Sequence, residues 1–232
     1  MSRTLAVIPA RAGSKRVPGK NTRIFAGKPL LQWTLEFACS YHGFDEVLLS
    51  TDCEDCAAIA SVCGKPVPWM RPSELAGDET GTVDVVLHAL SEYQARGQCF
   101  DRVAVLQPTT PFRRADRWNE AYRLLELGVI AVVGASVAER HPYWSYWLDS
   151  MGAMSPCFPG KSTLRSQDLP AAATINGALY WIDTSVLRQA RSLTPEGVHA
   201  VLLDDALESI DIDTEVDWVH AEEALLAAGV LK

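Results

Sequence analysis

The chain has 232 residues, 48% hydrophobic and 22% charged, the balance of a soluble globular protein with one large domain. Its net charge of −8 argues against nucleic acid as a main partner, and no apolar run approaches the roughly 20 residues that span a bilayer. The charge is unevenly spread: residues 1–35 hold seven basic side chains (Arg3, Arg11, Lys15, Arg16, Lys20, Arg23, Lys28) and no acid, so the remainder carries −15. A positive site on an acidic body suits a small anionic ligand better than a long polyanion. The few apolar residues ahead of Arg11 do not make a signal peptide, so a cytoplasmic protein with no membrane partner is expected.

Leu5-Ala-Val-Ile8 reads as a buried strand and runs into Ile8-Pro-Ala-Arg-Ala-Gly-Ser-Lys-Arg-Val-Pro-Gly-Lys-Asn21. There Arg11, Lys15, Arg16 and Lys20 gather around glycines and a proline. Backbone N–H groups and fixed cations presented together suit a phosphate chain. Leu30, Trp33, Thr34, Phe37, Ala38 and Tyr41 then recur at helical spacing, with Pro29 in the first turn and Gly43 as the stop. Asp45–Thr51 is a predicted strand, and Asp52 is placed as N-cap of a helix ending at Gly64. Val67-Pro-Trp-Met70 reads as a short edge strand or irregular segment, interrupted by Pro68. Arg71 to Thr82 is polar and turn-rich.

A helical stripe begins at Val83 and closes at Gly97. Arg102–Gln107 is a strand halted by Pro108, a helix follows from about Arg114 to Leu127, and Val129–Gly134 is apolar enough to be buried on both faces of a parallel sheet. This alternation predicts a doubly wound α/β layer with a mostly parallel sheet, whose ligands sit at the carboxyl ends of the strands.

Residues 138–173 break the rhythm. His141-Pro-Tyr-Trp-Ser-Tyr-Trp147 is dense in aromatics, Asp149-Ser-Met-Gly152 is a turn signal, and Pro156 and Pro159 follow. The stretch reads as an arm or lid inserted in a single domain of residues 1–232, and exposed aromatic arms serve as subunit contacts or ligand walls. Ala173–Ile182 and Ser209–Thr214 read as further strands. On the second, alternation puts Asp211 and Asp213 on one side and Ile210 and Ile212 on the core side. Thr214 caps a last helix, with Asp217 close to a capping box and Gly229 at its end. The six cysteines include Cys53-Glu-Asp-Cys56, but no second pair and no histidine at metal spacing accompany it. Small buried thiols are expected rather than zinc ligands, and no disulfides.

The basic loop lacks the frame of a Walker A motif, and G-x-G-x-x-G is absent, so P-loop phosphotransferases and nicotinamide dehydrogenases lose support. A phosphate loop combined with two carboxylates on one face suits Mg²⁺, which prefers a few carboxylates together with phosphate oxygens. Nucleotidyl transfer needs this inventory: an acceptor oxygen attacks the α-phosphate and pyrophosphate leaves. Arg11, Lys15, Arg16 and Lys20 would neutralise the departing charge, and Asp211 and Asp213 would hold the metal.

The stretch from Ile8 to Asn21 closely resembles the N-terminal signature of the acylneuraminate cytidylyltransferases, the CMP-sialic acid synthetases. The likeness continues through Gly27-Lys-Pro-Leu30, Ser50-Thr-Asp52, Arg71-Pro72, Leu106-Gln-Pro-Thr-Thr-Pro-Phe-Arg113, Arg165-Ser-Gln-Asp-Leu-Pro170, Asn176-Gly177 and Ile210-Asp-Ile-Asp-Thr214. It implies a Rossmann-like nucleotidyltransferase that, with Mg²⁺, attaches CMP from CTP to the anomeric hydroxyl of a nine-carbon keto acid sugar. Carried over motif by motif, the resemblance makes Arg11, Lys20 and Asp211 the catalytic residues. It places the nucleotide on Ala10, Arg11, Lys15, Lys20, Asn21, Arg71 and Thr82, the acceptor on Gln107, Arg165, Gln167 and Asn176, and the metal on Asp211 and Asp213. Arg165 suits the sugar carboxylate. The insertion after residue 138 corresponds to a dimerisation arm that completes the partner's site, implying a homodimer. His141-Pro-Tyr-Trp144 resembles bacterial legionaminic-type members.

Two alternatives remain from the sequence. One is a transferase acting on the eight-carbon keto acid 3-deoxy-manno-octulosonate, although that group's loop typically reads Ser-Thr-Arg-Leu-Pro-Gly-Lys. The other is a nucleotide-binding protein without catalysis.

Overall fold

The computed structural model describes residues 2–161 and 163–229. In chain order its elements are β1 (Thr4–Ala10), the short pair β2 (Ile24–Phe25) and β3 (Lys28–Pro29), α1 (Leu30–Ser40), β4 (Glu46–Thr51), α2 (Glu54–Val62), α3 (Thr82–Ala95), β5 (Arg102–Val105), α4 (Ala115–Glu126), β6 (Ala131–Val137), β7 (Tyr146–Leu148), β8 (Met154–Pro156), β9 (Ala173–Asp183), α5 (Thr184–Ala190), β10 (His199–Leu202) and α6 (Glu215–Ala227). Six strands form one sheet in the order β10-β6-β9-β5-β1-β4. β1 pairs in parallel with β4 and β5, and β6 with β10, while β9 runs antiparallel between β5 and β6. The layer is α/β and mostly parallel, as the alternation of elements predicts.

The continuous apolar run of β1 is explained by helices on both faces. Ala6 and Ile8 join α1, α2 and α4 in one cluster that includes Leu35, Trp118 and Trp181. Leu5 and Val7 face the opposite cluster with Val86, Leu90 and Tyr93 of α3 and Leu187 of α5. Each buried aliphatic side chain there contributes about 1.5–3 kcal/mol relative to exposure. A third cluster joins Val17 of the basic loop to Phe25, Leu30, Ile212 and Trp218, Ala221 and Leu225 of α6. It clamps the chain's last segment onto its first loop.

Val67–Met70 takes the irregular of its two expected forms and crosses the surface without strand pairing. Other expectations are corrected. Ser209–Thr214 is not a strand. Its apolar alternation reflects one plug, Ile212, which is fully buried and whose N–H donates to Thr109 O at 2.8 Å across the carboxyl edge of the sheet. The sheet's edge is instead β10, and β10 and α5 were both missed because they are short, four and seven residues. Asp52 does not cap α2. Cys53 does, its Sγ accepting from Cys56 N at 3.5 Å, so the Cys-x-x-Cys spacing is a helix cap. Cys56 is buried, and burial pushes its thiol up to about 12. Thr214 caps α6 in a full capping box with Asp217.

The arm leaves after β6 and returns into β9. At its base Ala138 N donates to Ala172 O at 2.9 Å, and His141 bridges Tyr143 N and Pro170 O at 3.2 and 3.0 Å. Its tip is the β7–β8 hairpin, closed by Asp149 accepting from Met151 N and Ala153 N.

Candidate active site

The carboxyl ends of β1, β4, β5 and β6, together with the start of β9, meet along one edge of the sheet, where polar loops form three adjoining cavities. The first loop is shaped by its own sequence. Val17 is buried under α6, and a tight turn follows in which Thr22 N and Arg23 N both donate to Gly19 O. Gly19 takes φ +64, a left-handed conformation that glycine adopts without strain. The turn throws Lys20 and Asn21 inward, where both are buried. Lys20 Nζ donates to Ile212 O at 2.8 Å and to Asp213 Oδ1 at 3.1 Å, and Asn21 Nδ2 donates to Arg11 O at 3.2 Å. A cavity of about 450 Å³ lies over this loop, bordered by Arg11, Lys15, Arg16, Lys20, Asn21 and Asp213.

Asp78 also reaches this cavity. Its carboxylate lies 2.8 Å from Arg11 Nη1 and pairs with Lys15. The hydrogen bond from Lys15, followed by that from Arg11, holds its pKa below the usual carboxylate value. Arg16 Nη2 lies 2.8 Å from Asp213 Oδ2. All four cations therefore rest on two carboxylates, which leaves two positive charges in excess for a polyanion.

A smaller cavity of about 260 Å³ continues from Arg11 past Arg71, Thr80 and Thr82 to Gln107. Arg71 is buried, with its backbone N–H donating to Thr51 O at 2.7 Å and its Nη2 to Asp52 Oδ1 at 3.3 Å. Burial lowers its pKa while Asp52 opposes the shift, and its Nε has no partner among the described residues, leaving a directed donor. Asp52 Oδ1 also accepts from Ala12 N at 3.0 Å, so one carboxylate ties the first loop to Arg71.

The third cavity, about 700 Å³, is bordered by Gln107, Ser136, Arg140, Asn176, Tyr180 and Asp211, with Glu139 beside them. Its back wall comes from a register shift between β6 and β9 at Val133/Ala135. Opposite it, Gly177 takes φ +78, and a Cβ there would meet Gln107 Oε1 at 3.2 Å. The kink aims Asn176 outward, so that its Nδ2 donates to Ser136 Oγ at 3.0 Å and its Oδ1 accepts from Ala178 N at 3.2 Å.

Asp211 and Asp213 flank the buried Ile212, one at the third cavity and the other at the basic one. Asp211 lies at an open rim, but the crowded walls around its carboxylate desolvate it and raise its pKa; a Thr109 hydrogen bond opposes this and the Asp213 charge adds to it. Two hard oxygen donors beside a phosphate-sized basic cradle fit a hard divalent cation. Among the described residues no cluster of three or more His, Cys, Asp or Glu stands ready as an all-protein metal cage.

The structure thus gathers Arg11, Lys15, Lys20, Asn21, Arg71, Thr82, Gln107, Asn176, Asp211 and Asp213 around connected space. Ala10 is a buried strand end and offers only backbone. Arg165 and Gln167 do not join them: both sit in the arm, where Arg165 is largely exposed and paired with Asp168 at 2.8 Å. Sequence reasoning missed Asp52, Asp78, Thr109, Arg140 and Tyr180. Only Asp52 and Thr109 carried a signal, by lying inside quoted motifs.

A mostly parallel α/β sheet with a basic first loop and polar cavities at its carboxyl edge defines a nucleotide-binding enzyme of the nucleotidyltransferase kind, and the chain belongs to the cytidylyltransferase family. That family's model, described as Cytidylyltransferase, matches residues 5–121. A CMP-N,N'-diacetyllegionaminic acid synthase of Legionella pneumophila is 36% identical over 224 residues, covering 96% of each chain. A pseudaminic acid cytidylyltransferase of Campylobacter jejuni is 32% identical over 77% of this chain and 78% of its own. The solved structure of a CMP:2-keto-3-deoxy-manno-octonic acid synthetase complexed with CTP superposes with a TM-score of 0.70 at 19% identity, over 98% of this chain and all of the other. At that identity the superposition establishes the shared fold.

Proposed function

We propose that this chain, as one domain of residues 1–232, transfers CMP from CTP to the anomeric hydroxyl of a nine-carbon nonulosonic acid of legionaminic type and releases pyrophosphate. The observation that carries this reading is the whole-length likeness to the Legionella synthase, in a chain whose three cavities have the chemistry the reaction needs. The basic cavity takes the triphosphate, on Arg11, Lys15, Lys20 and Asn21. The narrow cavity takes the pyrimidine, where the free Nε of Arg71 supplies a donor for a ring carbonyl and Thr82 stands at the start of α3. The wide polar cavity takes the sugar, with Gln107 on the border it shares with the nucleotide.

Catalysis in this reading is mostly positioning and charge neutralisation. Lys20 and Arg11 hold the β- and γ-phosphates as charge moves onto pyrophosphate, in a partly buried cradle where such contacts are stronger than in water. Asp211 and Asp213 would hold Mg²⁺, which when bound polarises phosphate oxygens as a Lewis acid. No histidine borders any of the three cavities, so a carboxylate or a solvent water takes the acceptor proton.

The arm is proposed as a homodimer contact. Trp147, Leu148, Met151 and Met154 are exposed along its hairpin, a surface that a second copy would cover. Arg165 and Gln167, which border none of their own chain's three cavities, would then serve the partner's acceptor. A nucleoside triphosphate substrate places the enzyme in the cytoplasm, and among the described residues no helix is long and apolar enough to cross a membrane. Mass spectrometry of the products formed with each of the four common nucleoside triphosphates, Mg²⁺ and N,N'-diacetyllegionaminic acid tests the reading. A CMP-sugar from CTP alone supports it; no nucleotide-sugar, or one from another triphosphate, overturns it.

A further inference from the structure

Arg113 closes the Leu106–Arg113 motif, yet it reaches none of the three cavities. It lies behind them, half-buried between two other cavities and facing α1, and among the described residues no carboxylate pairs with it: desolvation alone lowers its pKa. A partly desolvated cation without a counter-ion carries a cost that an apolar side chain of similar volume would avoid. Its hydrogen bonds show what the guanidinium does. Nη1 donates to Thr34 Oγ1 of α1 at 2.9 Å, and Nη2 donates to Gln107 O at 2.6 Å and to Thr110 Oγ1 at 3.2 Å. Thr34 and Thr110 are both fully buried. The planar fork ties a helix to a turn in a way that a lysine, with its single nitrogen, cannot reproduce.

That turn is the hinge of the whole site. Gln107 borders both the narrow and the wide cavities, and Thr109 borders the narrow and the basic ones. Thr109 O also accepts from Ile212 N at 2.8 Å, the residue between Asp211 and Asp213. Gln107 O is held by three donors, Thr110 N at 3.2 Å, Thr110 Oγ1 at 3.1 Å and Arg113 Nη2. Of these, only Arg113 links the turn to another element of the sheet's helical layer. We propose that Arg113 is a positioning residue for nucleotidyl transfer, holding the 107–110 turn so that acceptor, nucleotide and the Asp211–Asp213 segment share one geometry. It touches neither substrate; it acts through Gln107 and Thr109.

The inference rests on the proposed activity for its readout. Wild-type turnover with CTP and N,N'-diacetyllegionaminic acid tests that activity, and comparison of variants with wild type tests the positioning. Arg113→Met is expected to lower kcat at least 10-fold per folded molecule while the KM for CTP moves less than threefold, because the nucleotide cradle at residues 11–21 is left intact. Arg113→Lys, which keeps a donor but not the fork, falls between the two. Thr34→Val, which removes only the anchor on α1, lowers kcat in the same sense and decides the matter if Arg113→Met does not fold. If the folded variants keep wild-type kcat and lose only melting temperature, Arg113 is a structural staple and the inference is overturned.

Discussion

Asp78 places a carboxylate oxygen 2.8 Å from the Arg11 guanidinium and also pairs with Lys15, on the wall shared by the basic and narrow cavities. A triphosphate binding to Arg11 has to displace it. Asp78→Asn is therefore expected to tighten the substrate complex rather than weaken it, lowering the KM for CTP by about two- to fivefold, the scale of an exposed ion pair. A raised KM would show that Asp78 contributes to binding. The same pair sets a pH dependence. Lys15 and then Arg11 lower the folded pKa of Asp78, so its contribution to stability is present above the unfolded value, about 3.9, and is lost as pH falls through the lower folded value. The melting-temperature difference between wild type and Asp78→Asn should be constant from neutral pH to about 5 and shrink below about 4. A difference that persists in acid would contradict the pairing.

Among the described residues Asp211 has no ion-pair partner, whereas Asp213 is held by Lys20 and Arg16. If the two carboxylates share a divalent cation, Asp211→Ala should lower kcat by about 100-fold or more and shift the Mg²⁺ activation curve to higher concentration. Most of the wild-type rate with an unchanged Mg²⁺ curve would remove Asp211 from the metal assignment.

The arm can be tested by complementation. Arg165→Ala and Asp211→Ala should each be nearly inactive alone. When the two are mixed and reassociated, half the dimers are hybrids with one intact site each, so about a quarter of wild-type activity returns if Arg165 acts across the interface. No recovery would place Arg165 in its own chain's site, and an Arg165→Ala enzyme active on its own would place it in none. Trp147→Glu, on the exposed hairpin, should shift the mass measured by light scattering from dimer to monomer. A monomeric wild type with full activity would argue against the arm's role.

The sequence displayed what repeats and what is charged. β1 and its basic loop were legible because four consecutive apolar residues run directly into a cluster of cations. The helices α1, α3 and α4 were legible from their apolar spacing. Ile210-Asp-Ile-Asp-Thr214 misled because the buried plug Ile212 and the partly buried Ile210, two residues apart in irregular chain, give the same alternation as a strand. The weight of Asp78 and Arg113 could not be read, since each depends on partners far away in sequence: Asp78 on Arg11, and Arg113 on Thr34. Arg165 was legible as a motif but not as a location, because the arm's path is set by contacts at its base such as His141 with Pro170.

Pyrophosphate release measured with CTP, Mg²⁺ and each of N,N'-diacetyllegionaminic, pseudaminic, N-acetylneuraminic and 3-deoxy-manno-octulosonic acids tests the proposed function most directly. Release should require the triphosphate, the metal and the sugar together, with the highest kcat/KM for N,N'-diacetyllegionaminic acid. Release with the eight-carbon acid in preference to every nine-carbon acid, or CTP binding without release on any of the four, would contradict it.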